Sequence, residues 1–482
     1  MLFNSLPFLF VYLPIALAGF FALSALRWRN SAALWLGLAS LAFYGMSDPK
    51  YLLPIITVSI LFNFTAGNLL ARWPNRSLLA FAVAANLLLL GYYKYANFFV
   101  DTLSSVTSLQ LVNLKVILPI GISFFTFTQI AFLVDAFSGK AREYKPHHYL
   151  LFVTFFPHLI AGPILHHKEM MPQFQASDTY SFKPQLFALG LTWFTAGLFK
   201  KLMLADTLVP FVSIVFAPGV ASRAMSFADS WIGVLAFALQ IYFDFSGYSD
   251  MAIGLSLLFG IWLPLNFNSP YQAVSIIDFW RRWHITLSRF LRDYLYFPLG
   301  GNRKGPVRRY CNLMLTMLLG GLWHGASWNF VIWGGLHGVS LGINHLWHDW
   351  SSARGWRLPV MVARALTFLV VLWIWVPFRA GSFDDTLSIW YAMTHVDGLR
   401  SLSLNLIDSW ALPWVGILLF IVWAMPNTQS VLGEGTGLAG LEAGLMRWRL
   451  NWPWALLMGS AFGVALAAML EGKITEFLYF RF

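Results

Sequence analysis

Apolar runs of about 20 residues, the length that crosses a bilayer core as a helix, recur along almost the whole chain. They constrain the fold more than any other feature. Candidate spans lie near Leu6–Leu26, Ser31–Met46, Tyr51–Ala71, Leu78–Phe99, Val116–Phe137 and Tyr149–Leu165. Others lie near Leu186–Ala205, Trp231–Leu263, Tyr310–Trp347, Val360–Val376, Trp410–Trp423 and Trp452–Ala468. Together they predict an all-α polytopic membrane protein of roughly ten to twelve helices. A water-soluble fold fails on composition. Only 11% of residues are charged and 58% are hydrophobic, against about 25% charged in an average soluble domain. That much apolar surface would leave large patches in water. The first run has no basic start and no A-x-A-like cleavage site, so it reads as a retained helix.

The net charge of +11 could suggest a nucleic-acid binder, but its distribution argues for a membrane. Arg27 and Arg29 follow the first span, Arg72 and Arg76 the third, and Lys140, Arg142 and Lys145 the fifth. The alternate loops carry only Lys50 and Lys115. This asymmetry places the N-terminus outside and the basic loops in the cytoplasm. Anionic headgroups account for the charge without nucleic acid. The single cysteine excludes an intramolecular disulfide and a cysteine-based zinc site. No P-loop, GxGxxG or GxSxG stands in a convincing setting, and the many tryptophans and tyrosines fit interfacial belts.

Charge is densest between Trp280 and Tyr310, where eight arginines and lysines accompany one acid, Asp293. At helical spacing Phe279, Trp283, Leu287, Phe290, Leu291 and Tyr294 share one side, and Arg281, Arg282, Arg289 and Arg292 the other. The pattern predicts an interfacial amphipathic helix over about 279–295, basic face to the headgroups. His284 falls at the edge of its apolar side. Downstream, Tyr310–Trp347 is too long for one span, about 57 Å as a straight helix against a core of about 30 Å. The natural break is GGLWHGAS, Gly320–Ser327. His324 would then end a half-helix entering from the cytoplasmic side, at a depth where irregular backbone must be buried or line a cavity. Trp231–Leu263 is also too long, and DFSGYSD, with Asp244 and Asp250, is expected to interrupt it. Those acids need partners, for which the arginines near Trp280 are candidates.

An ionisable residue at membrane depth is a candidate functional group. His324 reads either as a histidine bonded between helices or as a base able to take a proton from a hydroxyl or thiol. His284 reads as an interfacial or supporting group. Metal binding is not expected. His147-His148 and His166-His167 are sequence neighbours that point about 100° apart on a helix, with no acidic pair beside them, and His345 and His348 with Asp349 mark a helix end.

Several long motifs carry a family resemblance: LPIGISFFTFTQIAFLVDAFSG, FFPHLIAGPI, IYFDFSGYSDMAIGLSLLFG, LPLNFNSPYQAVSIIDFWRRWHITLSRFLRDYLYFPLGGNR and LLGGLWHGASWNFVIWGGLHG. In this order, from about Leu118 to Gly338, they resemble the membrane-bound O-acyltransferases (MBOAT), in particular the bacterial alginate O-acetyltransferase AlgI type. The resemblance implies one membrane-embedded domain over the whole chain, with helices, some broken or re-entrant, around a transmembrane tunnel. It places the family's histidine on His324 and its second polar position on His284. Asn266, Asn268, Ser269, Trp283, Arg289, Asp244, Trp323 and His158 become candidates for binding substrate or lining the tunnel. His158 stands where relatives usually carry glutamine. The implied reaction takes an acyl, above all acetyl, group from a cytoplasmic thioester, acetyl-CoA or an acyl carrier protein, with no bound cofactor. The group crosses the bacterial inner membrane to an exopolysaccharide such as alginate through a periplasmic SGNH-type partner acetyltransferase. Peptidoglycan, cellulose and teichoic acid (D-alanyl) are alternative acceptors. A transporter without chemistry is the competing class, disfavoured because the Tyr310–Trp347 pattern is not repeated elsewhere. After Val376 no motif is legible, and the sequence reads only as further membrane helices.

Overall fold

In a computed structural model, described over residues 1–46, 48–107, 111–143, 145–217, 219, 225–395, 407, 410–433, 448–472 and 475–478, the chain is helical, with no strand among the described residues. Phe8–Ala25, Pro49–Arg72, Arg76–Thr107, Val360–Arg379 and Trp452–Leu470 are long and apolar enough to cross a membrane, and Ile122–Phe137 and Ala411–Ala424 are shorter apolar helices. Along Arg76–Thr107 large apolar side chains such as Phe81, Leu88 and Phe99 are exposed, a surface that only lipid solvates without cost. This is an integral membrane protein of the all-α class. It divides into two compact units, one of Met1–Leu198, Tyr248–Leu265 and Arg449–Arg481, the other of Phe199–Gly247 and Asn266–Trp448.

In the first unit the early spans appear within a few residues of their expected bounds, except that Arg76–Thr107 runs past Phe99. Asp48, for example, caps Pro49–Arg72 by accepting from the Tyr51 amide. Two expected spans are not single helices. Val116–Phe137 is helical only from Ile122, after a left-handed Gly121. Tyr149–Leu165 divides into Pro146–Thr154 and Phe156–Leu159, because the ring of Pro157 opposes a helix running in from Val153. Polar side chains bind four of these helices together. Asn63 and Asn86 exchange amide hydrogen bonds of 3.0 and 2.7 Å, Gln129 donates to Ser59 at 2.9 Å, and the Tyr149 hydroxyl donates to Gln129 at 3.4 Å. Hydrogen bonds of this kind hold helices together where hydrocarbon supplies no hydrophobic drive.

The centre of the second unit is a helical hairpin, Gly305–His324 and Trp328–Arg354. The break falls where the sequence expects it. Gly325 is extended, and the Ser327 hydroxyl caps the second helix by accepting from the Asn329 amide. The first helix starts in the basic loop, with Pro306 in its first turn, earlier than Tyr310. The two helices pack antiparallel through glycines. A Cβ on Gly321 would lie 2.2 Å from the Phe330 carbonyl oxygen, and one on Gly334 2.3 Å from that of Met317. At the open end Arg309 meets Asp349 at 3.5 Å. His324 therefore sits about 22 Å up the helix from that charged end at 1.5 Å per residue.

Two expectations fail in instructive ways. Phe227–Leu258 is one continuous helix, so DFSGYSD does not interrupt it. Asp244 finds its counter-charge in buried Lys201, 2.7 Å away, rather than in an arginine near Trp280, and Lys201 also holds Asp206 at 2.8 Å. A neutralised carboxylate can stay on a helix in an apolar setting. Conversely, the amphipathic helix over 279–295 is broken. Ile276–Arg282 and Ile285–Leu291 are separate, with Trp283 extended and His284 left-handed at φ 42°. The cause is a neighbouring strand-like segment that captures the backbone. Asn268 N–H donates to the Arg282 carbonyl and Ile285 N–H to the Asn266 carbonyl, both at 2.9 Å. The expected division of faces survives the break in part: Phe279, Trp283, Leu287, Phe290 and Leu291 are buried and Arg281 and Arg292 exposed, while Arg282, Arg289 and Tyr294 are half-buried.

Candidate active site

His324 is the last residue of the first hairpin helix, and only 4% of it is exposed. Its ring sits among Trp323 and Trp333, each 5.0 Å away between centroids, and Phe378 at 5.4 Å. Phe378 is brought there by the hairpin tip, where the Asn329 side-chain amide donates to the Ala380 carbonyl at 2.9 Å. The fourth neighbour is His284, 6.5 Å from His324 between ring centroids. Ring nitrogens lie only about 1 Å from their centroids, so this separation keeps the imidazoles out of direct hydrogen-bond contact. Phe245 packs on His284 edge to face at 4.8 Å, and Trp323 at 6.1 Å.

The proton on His284 can be placed. Its Nδ1 lies 3.1 Å from Asn266 Oδ1, which also receives the Thr286 amide at 3.3 Å and the Thr286 hydroxyl at 2.9 Å. A backbone N–H can only donate, so this Asn266 atom is the oxygen and Nδ1 must carry the hydrogen. Neutral His284 then presents a lone pair at Nε2. His284 is fully buried, on the segment between spanning helices, and burial pushes its imidazole below the ordinary histidine value. It is neutral near pH 7.

Around the pair lies an aromatic wall. Trp283 stacks on Phe279 at 5.7 Å and meets Trp375 at 5.0 Å, and the Trp375 indole donates to the Tyr271 hydroxyl at 3.2 Å. Asn268 and Ser269 follow Asn266 in the segment that breaks the amphipathic helix, Ser269 with φ 45°. Of the residues singled out by sequence, His324, His284, Asn266, Trp323 and Trp283 thus share one site, with Asn268 and Ser269 beside them. Asp244 belongs to the Lys201 ion pair, next in sequence to Phe245. Arg289 lies half-buried on Ile285–Leu291. His158 lies in the first unit, where its Nε2–H donates to the Phe152 carbonyl at 3.0 Å. Glu143 lies 3.9 Å from His148, a single acid and not an acidic pair.

Sequence reasoning missed Phe245, Trp333, Phe378, Thr286 and Lys201. Only Lys201 left a signal, as a cation in an apolar run long enough to span.

The family model of membrane-bound O-acyltransferases matches residues 137–379, which contain both histidines. The chain is 42% identical to the peptidoglycan O-acetyltransferase of Helicobacter pylori over 430 residues, 83% of this chain and 81% of that one. The chain belongs to the membrane-bound O-acyltransferase family. It is also 42% identical to the probable alginate O-acetylase AlgI of Pseudomonas aeruginosa, over 82% of this chain and 75% of that protein. A teichoic acid D-alanyltransferase of Bacillus subtilis is 28% identical over 52% of this chain and 65% of its own length. As a member of this family the protein is an acyltransferase, and the site just described lies within the matched region.

Proposed function

We propose that this acyltransferase passes an acetyl group from a cytoplasmic thioester, acetyl-coenzyme A or an acyl carrier protein, across the inner membrane for O-acetylation of an exopolysaccharide such as alginate. The observation that carries the reading is the pair of buried imidazoles, 6.5 Å apart inside an aromatic enclosure. In the proposed step His324 takes the proton of the attacking hydroxyl as general base. A C–O bond forms, the thioester C–S bond breaks, and the proton returns to the departing thiolate. His284, holding its proton on Nδ1, acts through Nε2 as an acceptor. It orients the attacking hydroxyl or the His324 ring and does not polarise the thioester carbonyl. The arginines of the basic loop draw in the anionic donor. A periplasmic SGNH-type acetyltransferase completes the transfer by transesterification: the ester to that first hydroxyl breaks, an ester to a polysaccharide hydroxyl forms, and the polysaccharide's proton returns to the first hydroxyl. The N-terminus of this chain lies on the periplasmic side.

The Helicobacter pylori relative, as similar in identity as the alginate one and covered over more of its length, supports a second acceptor, peptidoglycan. Expressing the gene in hosts making either polymer and measuring ester-linked acetate distinguishes the two. The chemistry itself is tested in full-length protein incubated with labelled acetyl-coenzyme A. His324→Ala should lower thioester cleavage by about 10²-fold or more while the protein still inserts in the membrane. Wild-type cleavage by that variant would refute the assignment.

A further inference from the structure

We propose that Asn427 and Gln429, beyond the region matched to the family, are positioning residues for the histidine pair, acting through the segment Asn266–Ser269. The inference rests on the reading of His284 given above. Asn427 Nδ2 donates to Asn268 Oδ1 at 3.0 Å and to Ser269 Oγ at 2.8 Å. Gln429 Nε2 donates to the Phe267 carbonyl at 2.8 Å and to Asn268 Oδ1 at 3.2 Å. Three consecutive residues are thus gripped by two side chains from more than 150 positions downstream.

The grip falls on a segment that lies outside any helix. Within it Ser269 is left-handed, a conformation that persists only where its surroundings over-determine it. The same segment sets His284 twice. Its backbone holds apart the two short helices, through Asn268 N–H to Arg282 and Ile285 N–H to Asn266. The Asn266 side chain fixes the ring and its tautomer. A shift of Phe267 and Asn268 therefore carries Asn266, and with it the imidazole. Asn427 is itself held, since its Oδ1 caps Thr428–Leu432 by accepting from the Ser430 amide at 2.9 Å and the Ser430 hydroxyl at 2.8 Å. Gln429 is 4% exposed. Donors facing the segment and an acceptor facing the helix give the Asn427 amide one workable orientation.

Isosteric changes test this without removing volume. Gln429→Glu replaces the donor with an acceptor opposite the Phe267 carbonyl. Asn427→Asp keeps the helix cap but turns an oxygen toward Asn268 and Ser269. In full-length protein with labelled acetyl-coenzyme A, each should lower kcat for thioester cleavage by about tenfold or more, because small misplacements of a reacting group are costly. KM should change by less than about threefold, since the donor is not touched. Elution as a single species and a melting temperature within about 3 °C of wild type separate misplacement from unfolding. The decisive readout is an Asn266→Ala background. If the clamp acts through Asn266, Gln429→Glu should cost less than about threefold further there. An equal loss in both backgrounds, or wild-type kcat in both clamp variants while His284→Ala is inactive, would overturn the clamp alone. Wild-type activity of His284→Ala would overturn the reading of the site, and the clamp with it.

Discussion

Replacing Gly321 with alanine adds one methyl group three residues before His324, on the face that meets the second hairpin helix. Its carbon would lie 2.2 Å from the Phe330 carbonyl oxygen and 3.1 Å from the Gly334 backbone, where ordinary contact begins at 3.4 Å. The obstacles are main chain, so no side chain can rotate away. The helices must separate by at least 1.2 Å, the difference between 3.4 and 2.2. Overpacking of this kind costs about 1–3 kcal/mol, which leaves the protein folded. Activity should suffer more, because a misplacement of about 1 Å can cost about 10²-fold. The shift acts on the turn carrying His324 and on Phe330 beside the tip. Thioester cleavage by full-length protein in nanodiscs, measured beside the melting temperature, gives both numbers. Gly335→Ala is the matched control on the partner helix, since its Cβ would meet only the Leu318 side chain at 3.5 Å, and its activity should stay within about twofold of wild type. Wild-type turnover in Gly321→Ala, or an equal loss in Gly335→Ala, would refute the claim that the glycine contact sets the histidine.

Asn266→Asp keeps an acceptor for the His284 and Thr286 hydrogen bonds made to Asn266 Oδ1 but adds a negative charge 3.1 Å from His284 Nδ1. A carboxylate this close raises a histidine pKa by about 1–3 units. The neutral ring is then lost at higher pH than in wild type, and the acidic limb of the pH–rate profile should move upward. An unmoved limb would show that the neutral state of His284 does not limit the reaction. Lys201→Met leaves Asp206 and Asp244 facing each other in a buried site without the lysine between them, a change worth about 3–5 kcal/mol. Its melting temperature should fall sharply and recover in Lys201→Met/Asp206→Asn/Asp244→Asn, and an unchanged melting temperature in the single variant would remove the ion pair from the account.

What was legible in the sequence was local. The hairpin break at 325–327 could be read because its stop and start signals, an extended glycine and a capping serine, sit within a few residues of each other. His324 could be read because an ionisable residue beside such a break is rare in a membrane. The continuity of Phe227–Leu258 could not, since it depends on Lys201, a residue on another element. The split at Trp283 and His284 could not either. Periodicity across 279–294 is sound, and both short helices keep their expected apolar faces. The interruption is imposed from outside by Asn266 and Asn268, and no feature of the interrupted segment announces it. The stretch after Val376, read only as membrane helices, supplies Phe378 to the histidine enclosure and Asn427 and Gln429 to the clamp.

That external interruption explains how a histidine from an arginine-rich segment faces the enclosure. In an unbroken helix His284 would sit at the margin of the apolar face, one residue after Trp283 and two after Arg282, with its ring directed by helical geometry alone. Left-handed backbone at His284 turns the ring out of that series, at a cost of about 1–3 kcal/mol for a non-glycine residue. Among the described residues only Arg27, Ser269 and His284 share this feature without being glycine. Two of the three therefore lie on the segments that exchange hydrogen bonds beside His324. Strained backbone concentrated at one place, and held there by bonds from residues distant in sequence, is expected where ring orientation matters more than local stability. The histidine pair is thus fixed from two directions, His324 by the glycine-packed hairpin and His284 by the Asn266–Ser269 segment. A rearrangement of either scaffold should be felt in the 6.5 Å separation of the two ring centroids.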